Sequence, residues 1–182
     1  QLRNLEEGWD VFLYSSNSRE VEKKILLGLK RNKKRIKLIH KPAKGKSAAI
    51  NDCLLLARKH RYKLLAFMDG DIGLHPNCFK QLLRYYYNNK RIGICASLPI
   101  VQNAESFVEK CFDTLIKITN EDRLNRSVNG TLDCYHESLY ILNPRFFNSI
   151  LPSGWINESE WFGRLVRKNG YKIFIHPAAI CY

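Results

Sequence analysis

Short, nearly unbroken apolar runs alternate along this chain with amphipathic segments, and that alternation restricts the fold more than any other feature. Trp9 to Tyr14 (WDVFLY), Arg35 to Ile39 and Leu64 to Met68 (LLAFM) read as strands. Between them, Glu20 to Arg31 places Val21, Ile25, Leu26 and Leu29 at helical spacing, and a second helix runs from a Ser47 cap through Arg58. Pro76 lies near the start of a third helix, which reaches Tyr87. Strands covered on both faces lose the polar–apolar alternation of a half-exposed sheet. These runs therefore predict an α/β fold, a Rossmann-like, mostly parallel sheet flanked by helices. The second half is less regular. It offers a strand at Ile92 to Ser97, a long helix at Glu105 to Arg126, a short strand at Leu139 to Leu142, a helix at Glu158 to Lys168 and a closing strand at Tyr171 to Ile175. At 182 residues, with no repeat or linker, the stretch 1–182 reads as one domain.

Open sheets of this kind collect ligands at the carboxyl ends of their strands. Three polar segments fall there: Ser15 to Ser18 (SSNS), the loop PAKGK ending at Lys46, and the pair Asp69 and Asp71 in MDGD. Two carboxylates separated by one glycine can reach a single divalent ion. Mg²⁺ and Mn²⁺ take oxygen ligands and commonly complete their shell with substrate phosphates. The same pair reads equally as ordinary strand-terminating aspartates. Lys44 and Lys46 stand at a helix N-terminus suited to phosphate, or on a solvated turn. Further on, Asn157-Glu158-Ser159-Glu160 opens a helix. Acids there complement the helix dipole, or one of them serves as a general base.

The net charge is +13, and 12 of the 30 Lys and Arg residues fall between Arg19 and Lys46. Such a run is a solvated face, or a surface for a phosphate-bearing substrate, an anionic membrane or nucleic acid. No nucleic-acid motif accompanies it. The tyrosines at 85, 86 and 87 face different sides of a helix and make no stacking platform, so no nucleic-acid partner is expected. The six cysteines are scattered without a C-x-x-C pair, which predicts buried free thiols in a reducing compartment rather than a zinc site or disulfide framework. No run approaches the roughly 18 apolar residues of a membrane span. Gln1 opens a charged segment rather than a leader, and the chain reads as a piece of a longer protein.

The order of these segments resembles the family-two glycosyltransferases of GT-A fold. The resemblance rests on Ser15 to Ser18, GKSAAIN (Gly45 to Asn51), MDGDI (Met68 to Ile72) and the succession NESEWFGRLVRKNGYKIFIHPAAICY (Asn157 to Tyr182). It implies an inverting hexosyl transfer from a nucleotide-sugar donor to a glycan or lipid-linked acceptor, with Mg²⁺ or Mn²⁺ as cofactor. It further implies metal binding by Asp69 and Asp71, with Asp69 also facing the donor diphosphate. Donor contacts fall to Ser15, Ser16, Lys44, Lys46 and Asn51, and the base to Glu158 with Glu160 as rival. Residues 1–100 would form the donor half and 101–182 the acceptor half. The family's opening strand is absent before Gln1, its loop aspartates are replaced by SSNS, and Asn157 stands where its first acid belongs. The long helical segment resembles the acceptor side of membrane-embedded polysaccharide synthases, while MDGDIGLHP resembles the polyprenyl-phosphate sugar transferases. Either implies the cytosolic face of a membrane, with the basic run toward anionic lipid.

Two readings from other classes compete. A haloacid-dehalogenase-type phosphatase also runs apolar residues into D-x-D, with Asp69 as nucleophile and Asp71 as acid/base. It wants Thr or Val where this chain has Gly73, and it prefers the motif on its first strand. A basic RNA-binding module is the other.

Overall fold

The computed structural model describes residues 10–15, 36–40, 45–147, 151–152 and 157–182. The expected helix at Glu20 to Arg31, Ser16, Lys44 and most of the basic run lie outside the described residues.

Strand β1 (Val11–Ser15) pairs in parallel with β2 (Ile36–His40), Val11 opposite Ile36 and Ser15 opposite His40. Helix α1 (Lys46–Lys59) follows, then β3 (Leu65–Met68), α2 (Cys78–Asn88), β4 (Ile92–Pro99) and the long α3 (Phe107–Asn129). Strand β5 (Leu139–Leu142), a 3-10 turn at Pro144–Phe146, α4 (Glu158–Lys168) and β6 (Lys172–Cys181) complete the order. The last four strands form one sheet in the order β3-β5-β4-β6. Strands from residues 1–100 and 101–182 thus alternate across it, and the two expected halves share one sheet.

The sheet is mixed. Strands β4 and β6 are parallel, but β5 runs antiparallel to both of its neighbours. The reason lies in α3. Asn120 Nδ2 donates to the Pro99 carbonyl at 2.6 Å, at the carboxyl end of β4, and Ser127 Oγ accepts from the Ile175 amide at 2.8 Å, midway along β6. Helix α3 therefore descends the sheet, and its terminal Gly130 lies against Lys172 at the start of β6. Residues 131–138 carry the chain back up, so β5 enters at the carboxyl end of the parallel strands and can only run downward.

This strand is buried at all four positions. Tyr140 and Leu142 pack with Ile50 and Leu54 of α1 and with Phe162 and Val166 of α4. Leu139 and Ile141 meet Cys78 and Leu82 of α2 on the opposite face. Each such side chain contributes roughly 1.5–3 kcal/mol by leaving water. Alternation along a strand with helices on both faces explains why the run LYIL carries no polar residue.

Helix α3 is closed at both ends by local chemistry. Ser106 Oγ accepts from the Glu109 amide at 3.2 Å, and Glu109 Oε2 accepts from the Ser106 amide at 2.9 Å, a capping box. Gly130 ends the helix at φ 72°, a left-handed conformation that costs glycine little. Between Phe107 and Asn120, thirteen residues at 1.5 Å each carry the helix roughly 20 Å beyond the sheet, on the side of the strands' carboxyl ends. Residues 105–112 are all exposed.

Strand β6 runs beyond the expected end at Ile175. After an irregularity it pairs Ile180 and Cys181 with Leu98 and Pro99 of β4. Cys78, Cys95 and Cys181 are buried, whereas Cys111 is exposed on α3. Among the described residues, no helix is long and apolar enough to cross a membrane.

Candidate active site

Strand β3 delivers Asp69 to the edge of a crevice, where its amide still donates to the Ser138 carbonyl at 2.9 Å. The turn beyond is fastened from the far end of the chain. Gly73 and Tyr182 exchange two backbone hydrogen bonds of 3.0 and 2.9 Å, and the His75 amide donates to Ile180 at 3.1 Å. The extension of β6 is what holds this turn. Asp71 is exposed on it, and Asp69 is partly exposed.

Lys46, the first residue of α1, reaches across to two acids. Its Nζ lies 3.1 Å from Asp69 Oδ1 and 2.9 Å from Glu137 Oε2. Glu137 Oε1 accepts from the Ser159 amide at 2.7 Å, within the first turn of α4. Glu137 also shares a hydrogen bond with Glu158, and Glu158 Oε1 accepts from Ser47 Oγ at 3.3 Å. Glu158 is only 3% exposed. A continuous polar chain thus runs from Asp69 through Lys46 and Glu137 to Glu158.

The charges along it are polarised. Burial raises the pKa of Glu158, and the neighbouring Glu137 carboxylate raises it further. Burial also opposes ionisation of Glu137, but the Lys46 ammonium, the Ser159 amide and the hydrogen bond from Glu158 outweigh it and hold its pKa down. Of this acidic pair Glu158 is accordingly the weaker acid. Burial disfavours the Lys46 ammonium, yet Glu137 and then Asp69 offset that cost and leave its pKa raised. His136 beside them is pushed toward its neutral form by burial and by Arg123.

The structure sorts the residues expected from sequence. Lys46, Asp69 and Glu158 meet in one crevice. Glu160 does not join them: it pairs with Arg164 one turn along α4 at 2.5 Å. Asn51 is engaged with the backbone. Its carboxamide accepts from the Leu151 amide at 2.8 Å and donates to the Leu151 carbonyl at 2.9 Å, clamping that segment to α1. Ser47 is not the cap of α1, since Gly45 holds that position and the Ser47 hydroxyl serves Glu158. Asn157 caps α4 by accepting from the Glu160 amide at 3.3 Å. Ser15 ends β1, and Ser16 and Lys44 lie outside the described residues. His176 packs edge-on against Tyr85, with ring centroids 5.2 Å apart, on the α2 side of the sheet.

Glu137 is the residue that sequence reasoning missed. The expectation was to look after strands, at their carboxyl ends. Because β5 runs backwards, the residues before it face the crevice. The only signal in the sequence was an acid two positions ahead of an unbroken apolar run.

Among the described residues, no group of three or more His, Cys, Asp and Glu is gathered as a metal cage. The oxygens of Asp69 and Asp71 nonetheless suit a hard cation that draws its other ligands from a diphosphate. The Lys46 ammonium already stands as a cation against Asp69. The residues present fit Mg²⁺ or Mn²⁺.

Comparison with known proteins gives three findings. The sequence model described as glycosyl transferase family 2 matches residues 1–142. No curated protein matches the chain. Among solved structures, the fold is similar to that of the mannosyltransferase PcManGT from Pyrobaculum calidifontis in complex with GDP-Man and Mn²⁺, with a TM-score of 0.72 at 13% identity. That likeness covers 94% of this chain and 46% of the mannosyltransferase, so the chain spans about half the length of its structural relative.

Proposed function

Since the chain belongs to glycosyl transferase family 2, a glycosyltransferase with a GT-A-like fold, we propose that its crevice transfers a sugar with inversion from a nucleotide-sugar donor to an acceptor hydroxyl. The observation that carries this reading is the polar chain from Asp69 to a buried Glu158 of raised pKa. It supports the reading by linking an aspartate that is already paired with a cation to a buried, weakly acidic carboxyl.

Asp69 and Asp71 would hold Mg²⁺ or Mn²⁺, which when bound offsets charge on the departing nucleoside diphosphate. Lys46 adds a fixed positive charge beside Asp69 for the same phosphates. Glu158 takes the acceptor's proton. A carboxylate is a stronger base the higher its pKa, so burial and Glu137 improve it for this role. The acceptor oxygen forms its bond to the anomeric carbon as the bond to the diphosphate breaks, the electron pair leaving with the diphosphate. Attack from the opposite face inverts the centre. A phosphate acceptor would need no such base, and Glu158 therefore favours a hydroxyl of a glycan or a lipid-linked glycan over a polyprenyl phosphate.

The acceptor side lies against an anionic lipid surface, through α3. On its projecting turns Phe107, Val108, Cys111, Phe112, Leu115 and Ile118 share one helical face without a charged residue. Phe107 is 81% and Ile118 63% exposed. Lys110 and Lys117 lie on the far side of the helix, Lys117 paired with Asp113 at 2.6 Å, and it is the chain's +13 charge that attracts anionic headgroups. On co-sedimentation the chain binds phosphatidylserine-containing vesicles, and Phe112→Glu with Leu115→Glu releases it. Equal retention of that double variant would sink the assignment.

For the chemistry, turnover of nucleotide-sugar donors by Glu158→Gln and Glu160→Gln is decisive. Loss of a general base lowers the rate by about 10²–10⁴-fold. That loss is expected for Glu158→Gln alone, and full activity of this variant would overturn the assignment.

A further inference from the structure

Two cations lay claim to Asp69. The Lys46 ammonium stands 3.1 Å from its Oδ1, while the reading above gives the same carboxylate to a divalent ion. Both cannot hold it at full contact, because a dication and an ammonium on one carboxylate repel. Lys46 has somewhere else to go. Glu137 Oε2 already holds the ammonium at 2.9 Å, and Glu137 is itself fixed by the Ser159 amide at 2.7 Å. The lysine stem is long and its head partly exposed, so it can leave Asp69 without leaving Glu137.

We propose that Lys46 is an exchangeable counter-ion of the site: it bridges Asp69 and Glu137 in the absence of metal, and gives up Asp69 while keeping Glu137 when a metal–diphosphate enters. The inference rests on the metal-dependent reading and adds a property that reading lacks. Free metal must break the Lys46–Asp69 pair while bringing the ammonium no new partner beyond Glu137, and is held weakly. A metal that arrives with a diphosphate brings phosphate oxygens that receive the displaced ammonium, and is held well. Glu137 retains Lys46 near those phosphates and keeps it off Glu158. The chain thereby discriminates between the loaded donor and the free cation.

The same geometry explains why neither an alanine nor a neutral amide would serve at position 137. Without a carboxylate there, Lys46 has Asp69 as its remaining partner in the cluster, and the exchange loses its second station.

The test is direct binding of Mn²⁺, followed by electron paramagnetic resonance of the free ion, and of inorganic pyrophosphate at saturating Mn²⁺, followed by calorimetry. Removing one partly exposed ion pair shifts an equilibrium by roughly two- to fivefold. Lys46→Met is expected to bind Mn²⁺ alone about that much more tightly than the unmodified chain, and pyrophosphate more weakly. Glu137→Gln is expected to bind Mn²⁺ alone no more tightly, and to lose the preference for Mn²⁺ with pyrophosphate. Gain of affinity on deleting a side chain is a result that general damage to the fold does not produce. Mn²⁺ bound equally by the unmodified chain and Lys46→Met overturns the exchange and leaves the metal site standing. Failure of the unmodified chain to bind Mn²⁺ with or without pyrophosphate overturns the metal reading itself, and the exchange with it.

Discussion

Gly163 is where the fold and the site are most tightly coupled, and Gly163→Ala should damage both. It sits in α4 where the helix crosses the ascending segment that leads to Glu137. A Cβ placed there would lie far inside contact distance of the Asp133 carbonyl oxygen, and 3.0 Å from both the Asp133 carbonyl carbon and Ile173 Cδ1. Backbone cannot rotate away as a side-chain tip can, so α4 and the 131–138 segment must separate by on the order of 1 Å to restore contact. Overpacking of this kind costs about 1–3 kcal/mol. Alanine recovers about 1 kcal/mol of helix propensity over glycine. With backbone as the obstacle the upper range applies, for a net loss of about 1–2 kcal/mol. In a domain of this size that lowers the Tm by roughly 2–8 °C. The same separation pulls Ser159 and Glu158 from Glu137, and a misplacement near 1 Å costs up to about 10²-fold in rate. Thermal unfolding and donor turnover measured on one preparation read both effects. Gly70→Ala is the stability control, since a Cβ there meets nothing within 4 Å. A Gly163→Ala chain that melts and turns over like the unmodified one would refute the close approach on which this reasoning depends.

Three further outcomes follow. Glu158 must be ionised to act as base, and its pKa is raised by burial and Glu137, so turnover falls on acidification through a pKa above the ordinary carboxylate range. Glu137→Gln removes the like charge and moves that acid limb to lower pH; an unmoved limb in the pH–rate profile would dissociate the two groups. For stability the sign is the same as for any raised carboxylate: protonated Glu158 is favoured in the folded state, and its contribution is lost as pH rises through the folded pKa. Asn51→Ala unpairs the Leu151 amide and carbonyl at a cost of about 1–3 kcal/mol, seen in urea unfolding, while the donor KM stays unchanged if the clamp is its whole role.

Much of the fold was legible because its strands are covered on both faces. LLAFM, IGICAS and LYIL each appear within a residue or two of their expected bounds; IGICAS and LYIL are buried throughout and leave unbroken apolar runs, while LLAFM is half-buried up to an exposed Met68. Strand direction was not legible. Nothing in LYIL distinguishes a parallel from an antiparallel neighbour; that is decided by where α3 ends and how far residues 131–138 must climb. The same ignorance hid Glu137. Which of Glu158 and Glu160 lies on the Lys46 side of the helix also needed three dimensions. The two lie about 200° apart around α4, and the packing of that helix decides which side faces Lys46. His176-Pro177 reads as a strand end, yet β6 continues past it because Leu98 and Pro99 supply partners.

The central claim is that Asp69 and Asp71 hold a cation on which a nucleoside diphosphate is bound. Crystals grown with Mn²⁺ and a nucleoside diphosphate, measured at the manganese absorption edge, test it most directly. The account predicts one anomalous peak between the carboxylates of Asp69 and Asp71 and the diphosphate, with the Lys46 ammonium released from Asp69 and kept on Glu137. A diphosphate bound without manganese at these aspartates, or manganese held elsewhere in the chain, would contradict it.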